Sequence, residues 1–276
     1  MTTPSLEALR AYTLGRDARN QHEDIEASIS HLRRAIELDP NFAMAQAALG
    51  IAYWSIDEDS LAVQHTAKAY KLREGVTERE RFRIVDVYHV VVTGDLEQRK
   101  HNDEQWIQSY PQDEAPHGDL AVIYLSLGQY ERSLREELVA LGLDPDVAKV
   151  YENLGYCQLA LNRFADAETT FKEGLRRGFD IYFLHQGLYD LAFLRRDYPG
   201  MQEQVDWSSG KPFAETQLLW SDSNAQAFYG HVTKARELAR QAIALAKSHK
   251  QKTTVLTEWP HCCRVRKRCG RPSLAT

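Results

Sequence analysis

Between residues 151 and 175, YENLGYCQLALNRFADAETTFKEGL, large apolar side chains (Tyr151, Leu154, Phe171) recur with a helical period. Two small residues, Gly155 and Ala167, stand among them. The pattern repeats. Leu154-Gly155 has a counterpart 34 residues earlier, Leu120-Ala121, and another 34 residues later, Leu188-Tyr189. Leu49-Gly50 lies 71 residues before Leu120, which is two periods plus three residues. The prolines keep the same register: Pro111 and Pro145 are 34 apart, and Pro40 precedes Pro111 by 71. This spacing predicts helix pairs in which neither helix can bury its apolar stripe alone. Small residues set the crossing and large ones fill the seam beside it.

The boundaries of the pairs are also legible. Asp39-Pro40 and Asp144-Pro145 should follow the ends of second helices, because the residue before proline is pushed out of helical backbone. SLGQY and ALNRF read as turns inside a pair, with Gly128 and Asn162 in left-handed backbone. Asp95 is the expected N-cap after TGD, and SSGKP, residues 208–212, the loop before the last pair. Pairs counted this way end near Ala246.

These residues resemble the tetratricopeptide repeat (TPR) family. In the fifth repeat Tyr151, Leu154, Gly155, Ala167 and Phe171 stand at the family's Trp, Leu, Gly, Ala and Phe positions. Leu49, Gly50, Tyr53 and Ala62 match in the second, and Leu120, Ala121, Tyr124, Ala140 and Pro145 in the fourth. The first keeps Tyr12, Leu32, Ala35 and Pro40. Gln158 and Arg99 depart from the pattern, Arg99 at a position the family keeps small. The resemblance implies an all-α fold: a right-handed superhelical TPR solenoid of about seven helix pairs with an irregular C-terminal tail. The domain is expected over residues 4–250, and the basic tail over 251–276. TPSLEALRAYTLG, VTERERFRIVDVYHVVVTGDLE and LLWSDSNAQAFYGHVTKARELARQA are similar to a narrower group. It is the TPR region of bacterial, acidobacterial-type serine/threonine kinase or winged-helix regulator proteins. That likeness implies an accessory sensory part in bacterial signalling. A kinase glycine loop, HRD and DFG are absent from this sequence.

Charge divides the chain unevenly. Residues 1–246 carry 26 Lys+Arg against 38 Asp+Glu, a balance of −12; residues 247–276 carry eight basic residues and Glu258, a balance of +7. An acidic body argues against general nucleic-acid binding, which draws its affinity from phosphate neutralisation. No run of apolar residues is long enough to span a membrane, and the start shows no signal-peptide pattern, so a cytoplasmic location is expected. The four cysteines form no disulfide framework; Cys157 reads as a small buried hydrophobe. In the tail, His261, Cys262, Cys263 and Cys269 lack paired zinc spacing, and RVRKR offers a basic contact. The composition changes there as a disordered end or a shifted reading frame would make it. A solenoid without a polar capping helix predicts self-association through its C-terminal repeat.

No motif for phosphate binding, metalloprotease chemistry or a serine nucleophile occurs, so no catalytic residue, cofactor or metal is expected. His117 and His185 fall at equivalent repeat positions and read as seam residues. SIDEDS, residues 55–60, reads as a solvated turn, and HNDEQW, residues 101–106, as an exposed helix face with Trp106 turned inward. Protein or peptide binding is the remaining function. By the repeat phase, first helices should line a groove with Met44, Ala47, Ile51 and Trp54, then Arg81, Ile84 and Tyr88, then Val122 and Leu125, then Lys149, Glu152, Tyr156 and Leu159. The mixture suits an amphipathic helix or an extended apolar peptide. It does not suit the acidic tails of chaperones that some TPR proteins clamp. Arg81 and Lys149 are two repeats apart, with only Gly118 and Val122 between.

Overall fold

The computed structural model describes residues 3–22 and 24–248; the expectations for the tail, including His261, Cys262, Cys263 and Cys269, lie outside the described residues. Among the described residues there are fourteen α-helices and no strand. They form seven successive pairs: α1 (Leu6–His22) and α2 (Ile25–Leu38); α3 (Ala43–Ser55) and α4 (Asp59–Leu72); α5 (Glu78–Tyr88) and α6 (Leu96–Ser109); α7 (Glu114–Ser126) and α8 (Tyr130–Leu143); α9 (Ala148–Ala160) and α10 (Phe164–Arg176); α11 (Tyr182–Arg195) and α12 (Tyr198–Trp207); α13 (Pro212–Phe228) and α14 (Val232–Ser248). The chain divides into two compact units whose boundary, after Asn153, falls within α9.

The expected punctuation is present. Asp39 and Asp144 cap the C-termini of α2 and α8 in extended backbone. Asp95 accepts a hydrogen bond from the Gln98 amide at the start of α6, and Thr77 and Glu80 form a reciprocal capping box on α5. Within pairs two to seven, the turn carries one left-handed residue: Asp57, Gly94, Gly128, Asn162, Arg196 and Gly230. From Gly94 onward these recur every 34 residues, so the backbone keeps the period even where the side chain does not. Arg196, at φ 57°, has a Cβ and bears the steric cost of the position. Three extra residues separate pairs two and three. Before Gly94, α5 itself continues into a π-helical turn, His89–Thr93.

The seams are built as expected, with one refinement. In the second unit the Phe171 ring lies on Gly155, not beside it, and is fully buried. A Cβ on Gly155 would come within 2.2 Å of that ring, and one on Gly187, from the next pair, within 2.3 Å. Phe171 is therefore held between two glycine backbones. In the first unit Gly50 plays the same part against Thr66, and Gly15 against Leu32. Cys157 is buried and free, as a small hydrophobe.

Alanine at Gly155 or Gly187 should lower stability by about 1–3 kcal/mol through overpacking, outweighing alanine's helix-propensity gain of about 1 kcal/mol. Gly142 in α8 meets nothing within 4 Å. Gly142→Ala should therefore raise stability, and urea midpoints of the three variants check both signs.

Candidate functional site

In the first unit, Met44, Ala47, Ile51 and Trp54 fall on one stripe of α3, spaced three, four and three residues apart. Ala47 and Ile84 pack with Ala43, Ala69 and Val87 in a buried cluster that Met44, Ile51 and Val91 border from the outside. Met44, Trp54 and Val91 also border the cluster around Phe42 and Leu49, which makes the stripe continuous. Three of the thirteen expected groove residues thus have almost no surface: Ala47 is 2% exposed, Ile84 0% and Glu152 4%. Each lies a helical step deeper than the phase suggested. Met44, Ile51, Trp54, Arg81, Tyr88, Val122 and Leu125 are half-buried, and Lys149 is exposed. Tyr88 stacks on Tyr70 at 3.9 Å, and Arg73 sits 3.8 Å over the Tyr70 ring. Arg81 pairs with Glu78, and Lys149 with Glu152. Val122 and Leu125 lie outside the α3–α5 cluster. In the second unit, Tyr156 and Leu159 are half-buried, and the Tyr156 hydroxyl donates to the Phe183 carbonyl at 3.3 Å.

The histidines are seam residues. The ring nitrogen of His117 meets Glu136 at 2.8 Å, and that of His185 meets Gln204 at 2.7 Å. His65 meets Gln46 at 2.7 Å in the same rung, 19 residues apart, with the roles exchanged. His185 also stacks on Trp207 at 3.4 Å. Burial lowers the pKa of His65 and His185 and keeps both rings neutral.

The largest departure from the sequence reading is in the third pair. Asn102 and Asp103 are buried, not on an exposed face; only Trp106 points inward as expected. Counting by 34 explains this. Asp86, Arg99 and Asp103 occupy the positions that hold Leu154, Ala167 and Phe171 in the fifth pair. The seam is ionic there. Arg99 donates to Asp86 at 2.6 Å and to Asp119 at 3.1 Å, and Arg83 donates to Asp119 at 2.7 Å. The carboxylates of Asp86, Asp103 and Asp119 lie within 4.8 Å of one another. Arg83 and Arg99 already take the Asp86 and Asp119 oxygens that an ion would need. Three carboxylates facing two guanidiniums leave one charge unbalanced. Burial, with Asp86 and Asp119 adding to it, raises the Asp103 pKa well above its ordinary value. Glu137, one repeat later at the Phe171 position, is fully buried beside Asn153, and burial raises its pKa in the same way. The signal for both acids was the repeat register itself.

No protein-family profile matches the chain. Solved structures do. A Rap protein complexed with competence and sporulation factor aligns over 91% of this chain and 77% of its own, at 13% identity and a TM-score of 0.63. A tetratricopeptide repeat protein from Parabacteroides merdae aligns over 92% of this chain and all of its own, at 13% identity and TM-score 0.53. A thermophilic TPR protein of Thermus thermophilus aligns over 64% and 94%, at 16% identity and TM-score 0.51. The fold is the tetratricopeptide-repeat fold.

Asp103 and Glu137 fix the sign of a pH effect. Each holds its proton more tightly in the folded chain than in the unfolded one, because burial raises its pKa. The stability they contribute is complete below the ordinary carboxyl range and is lost as pH rises toward the raised values, by up to about 1.4 kcal/mol per pH unit for each proton. Between about pH 5 and about pH 8, Asp103→Asn and Glu137→Gln should each flatten the fall in melting temperature. A slope identical to that of the parent would contradict the raised pKa values.

Proposed function

We propose that the chain is a non-catalytic interaction scaffold whose first unit receives an apolar or amphipathic protein segment along α3, α5 and α7. The observation that carries this reading is the half-buried stripe of Met44, Ile51 and Trp54, with Tyr88, Val122 and Leu125 on the following first helices. Half-buried aromatic side chains held by packing lose little freedom on binding and make effective anchors. Ala47 and Ile84 support the stripe from beneath. Lys149 and Glu152 belong to the same proposal, and Tyr156 and Leu159 would serve a like role within the second unit by itself. The Rap neighbour is complexed with competence and sporulation factor, which is in keeping with a binding role for the fold.

Two further parts of the proposal have separate support. The segments similar to regulator proteins favour an accessory, sensory role in a bacterial signalling chain, in the cytoplasm. No helix among the described residues is long and apolar enough to cross a membrane. Self-association would use the last pair, where Glu215, Leu219, Gln241, Ala244, Leu245 and Ser248 line an open cleft on α13 and α14.

Trp54→Ala and Tyr88→Ala should each weaken binding to amphipathic decapeptides on an array by about tenfold or more, with circular dichroism unchanged. If both variants retain full binding, the α3–α5 stripe is not the docking surface.

A further inference from the structure

The second unit carries a differently built face. Phe183, Gln186 and Asp190 follow one another at spacings of three and four along α11, and Gln217, Trp220 and Asn224 do the same on α13. Tyr156, Asp190 and Asn224 are 34 residues apart and hold the same position on successive first helices. Hydrogen bonds join the two strips. The Gln186 side-chain oxygen accepts from the Tyr182 hydroxyl at 2.9 Å and from the Ser221 hydroxyl at 3.0 Å. With its oxygen taken twice, buried Gln186 turns its amide nitrogen to Asp190, at 2.7 Å. Deeper in the same unit, Asp222 accepts from Tyr189 and Gln226 and is buried.

Asp190 differs from the ion-paired acids among the described residues. Asp119 and Asp86 face guanidiniums, Glu152 faces Lys149, and Glu168 faces Lys172 and Arg195. Among the described residues Asp190 has one hydrogen-bond donor, Gln186, and no ion pair. The residue as a whole is half-buried. Burial without a cation pushes its pKa up to about 7. Burial of a carboxylate costs free energy that one amide donor does not recover, and a positive group would offset it.

We propose that this face is a receptor for a lysine or arginine side chain of a partner segment, with Asp190 as the counter-charge. Gln186 holds the carboxylate in place. Asn224, exposed one turn beyond Ser221, offers an amide to the partner's backbone. None of these residues belongs to the apolar stripe of the first unit, so the two readings stand or fall separately. Here the partner is basic; there it is apolar.

Pools of decapeptides with random flanks and a fixed central Lys, Arg, Gln or Glu test this with the full chain. The parent should bind the Lys and Arg pools about tenfold better than the Gln pool. Asp190→Asn, nearly isosteric, should bind the four pools alike. Asn224→Lys, a surface change that brings a cation to the same face as Asp190, should abolish the preference as well. Trp54→Ala should keep it. A parent without preference for basic pools would overturn the proposal. A preference that survives in Asp190→Asn and Asn224→Lys would overturn it too.

Discussion

Two helices can approach closely only where one of them gives up its side chain. That constraint governs this protein. Phe171 is fully buried because Gly155 and Gly187 leave room on both of its faces. Gly50 and Gly15 make the same concession to Thr66 and Leu32. These contacts fix how closely α1, α3, α9 and α11 approach their neighbours, and so which strip of each is left uncovered. Both candidate binding faces consist of such strips, one apolar and one polar. The backbone turns keep the 34-residue period through Asn162 and Arg196, although neither is glycine.

Where the seam abandons the small-against-large rule, charge replaces it. The third pair has Asp86, Arg99 and Asp103 in place of leucine, alanine and phenylalanine. A buried ion network contributes little net stability, because desolvation offsets attraction. It does impose geometry, since each guanidinium must reach two particular carboxylates. Arg83 and Arg99 bridge α5, α6 and α7 in this manner. The third pair is thus oriented by directional bonds, and the fifth by the shape of one ring.

The helix pairs, the turns at Gly128 and Asn162 and the Asp95 cap were legible in the sequence because they follow from local chemistry, and the pairs repeat it at a fixed interval. Gly128, Asn162 and Asp95 do what their types do elsewhere. The fine depth of each side chain was not legible. Ala47 and Ile84 precede Ile51 and Tyr88 by little more than one turn, about 40° apart around the helix, and packing from neighbouring helices decides which of them is covered. Asn102 and Asp103 were misplaced because composition suggested solvent, whereas register put them at core positions. Arg99 marked the exception in advance, since no arginine fits a close crossing without partners. The polar face around Asp190 was hidden in the least typical repeats, where Leu188-Tyr189 was the only motif to read.

The two glycines around Phe171 have a bearing on inheritance. Repeat proteins lengthen and shorten by gaining or losing whole units. Phe171 belongs to one pair, Gly155 to the same pair and Gly187 to the next. A genetic cut between pairs five and six would leave the ring pressed against a bulkier newcomer, or leave Gly187 facing an empty space. The two pairs are therefore best passed on as one block of about 68 residues, and lineages that vary in repeat number should vary elsewhere.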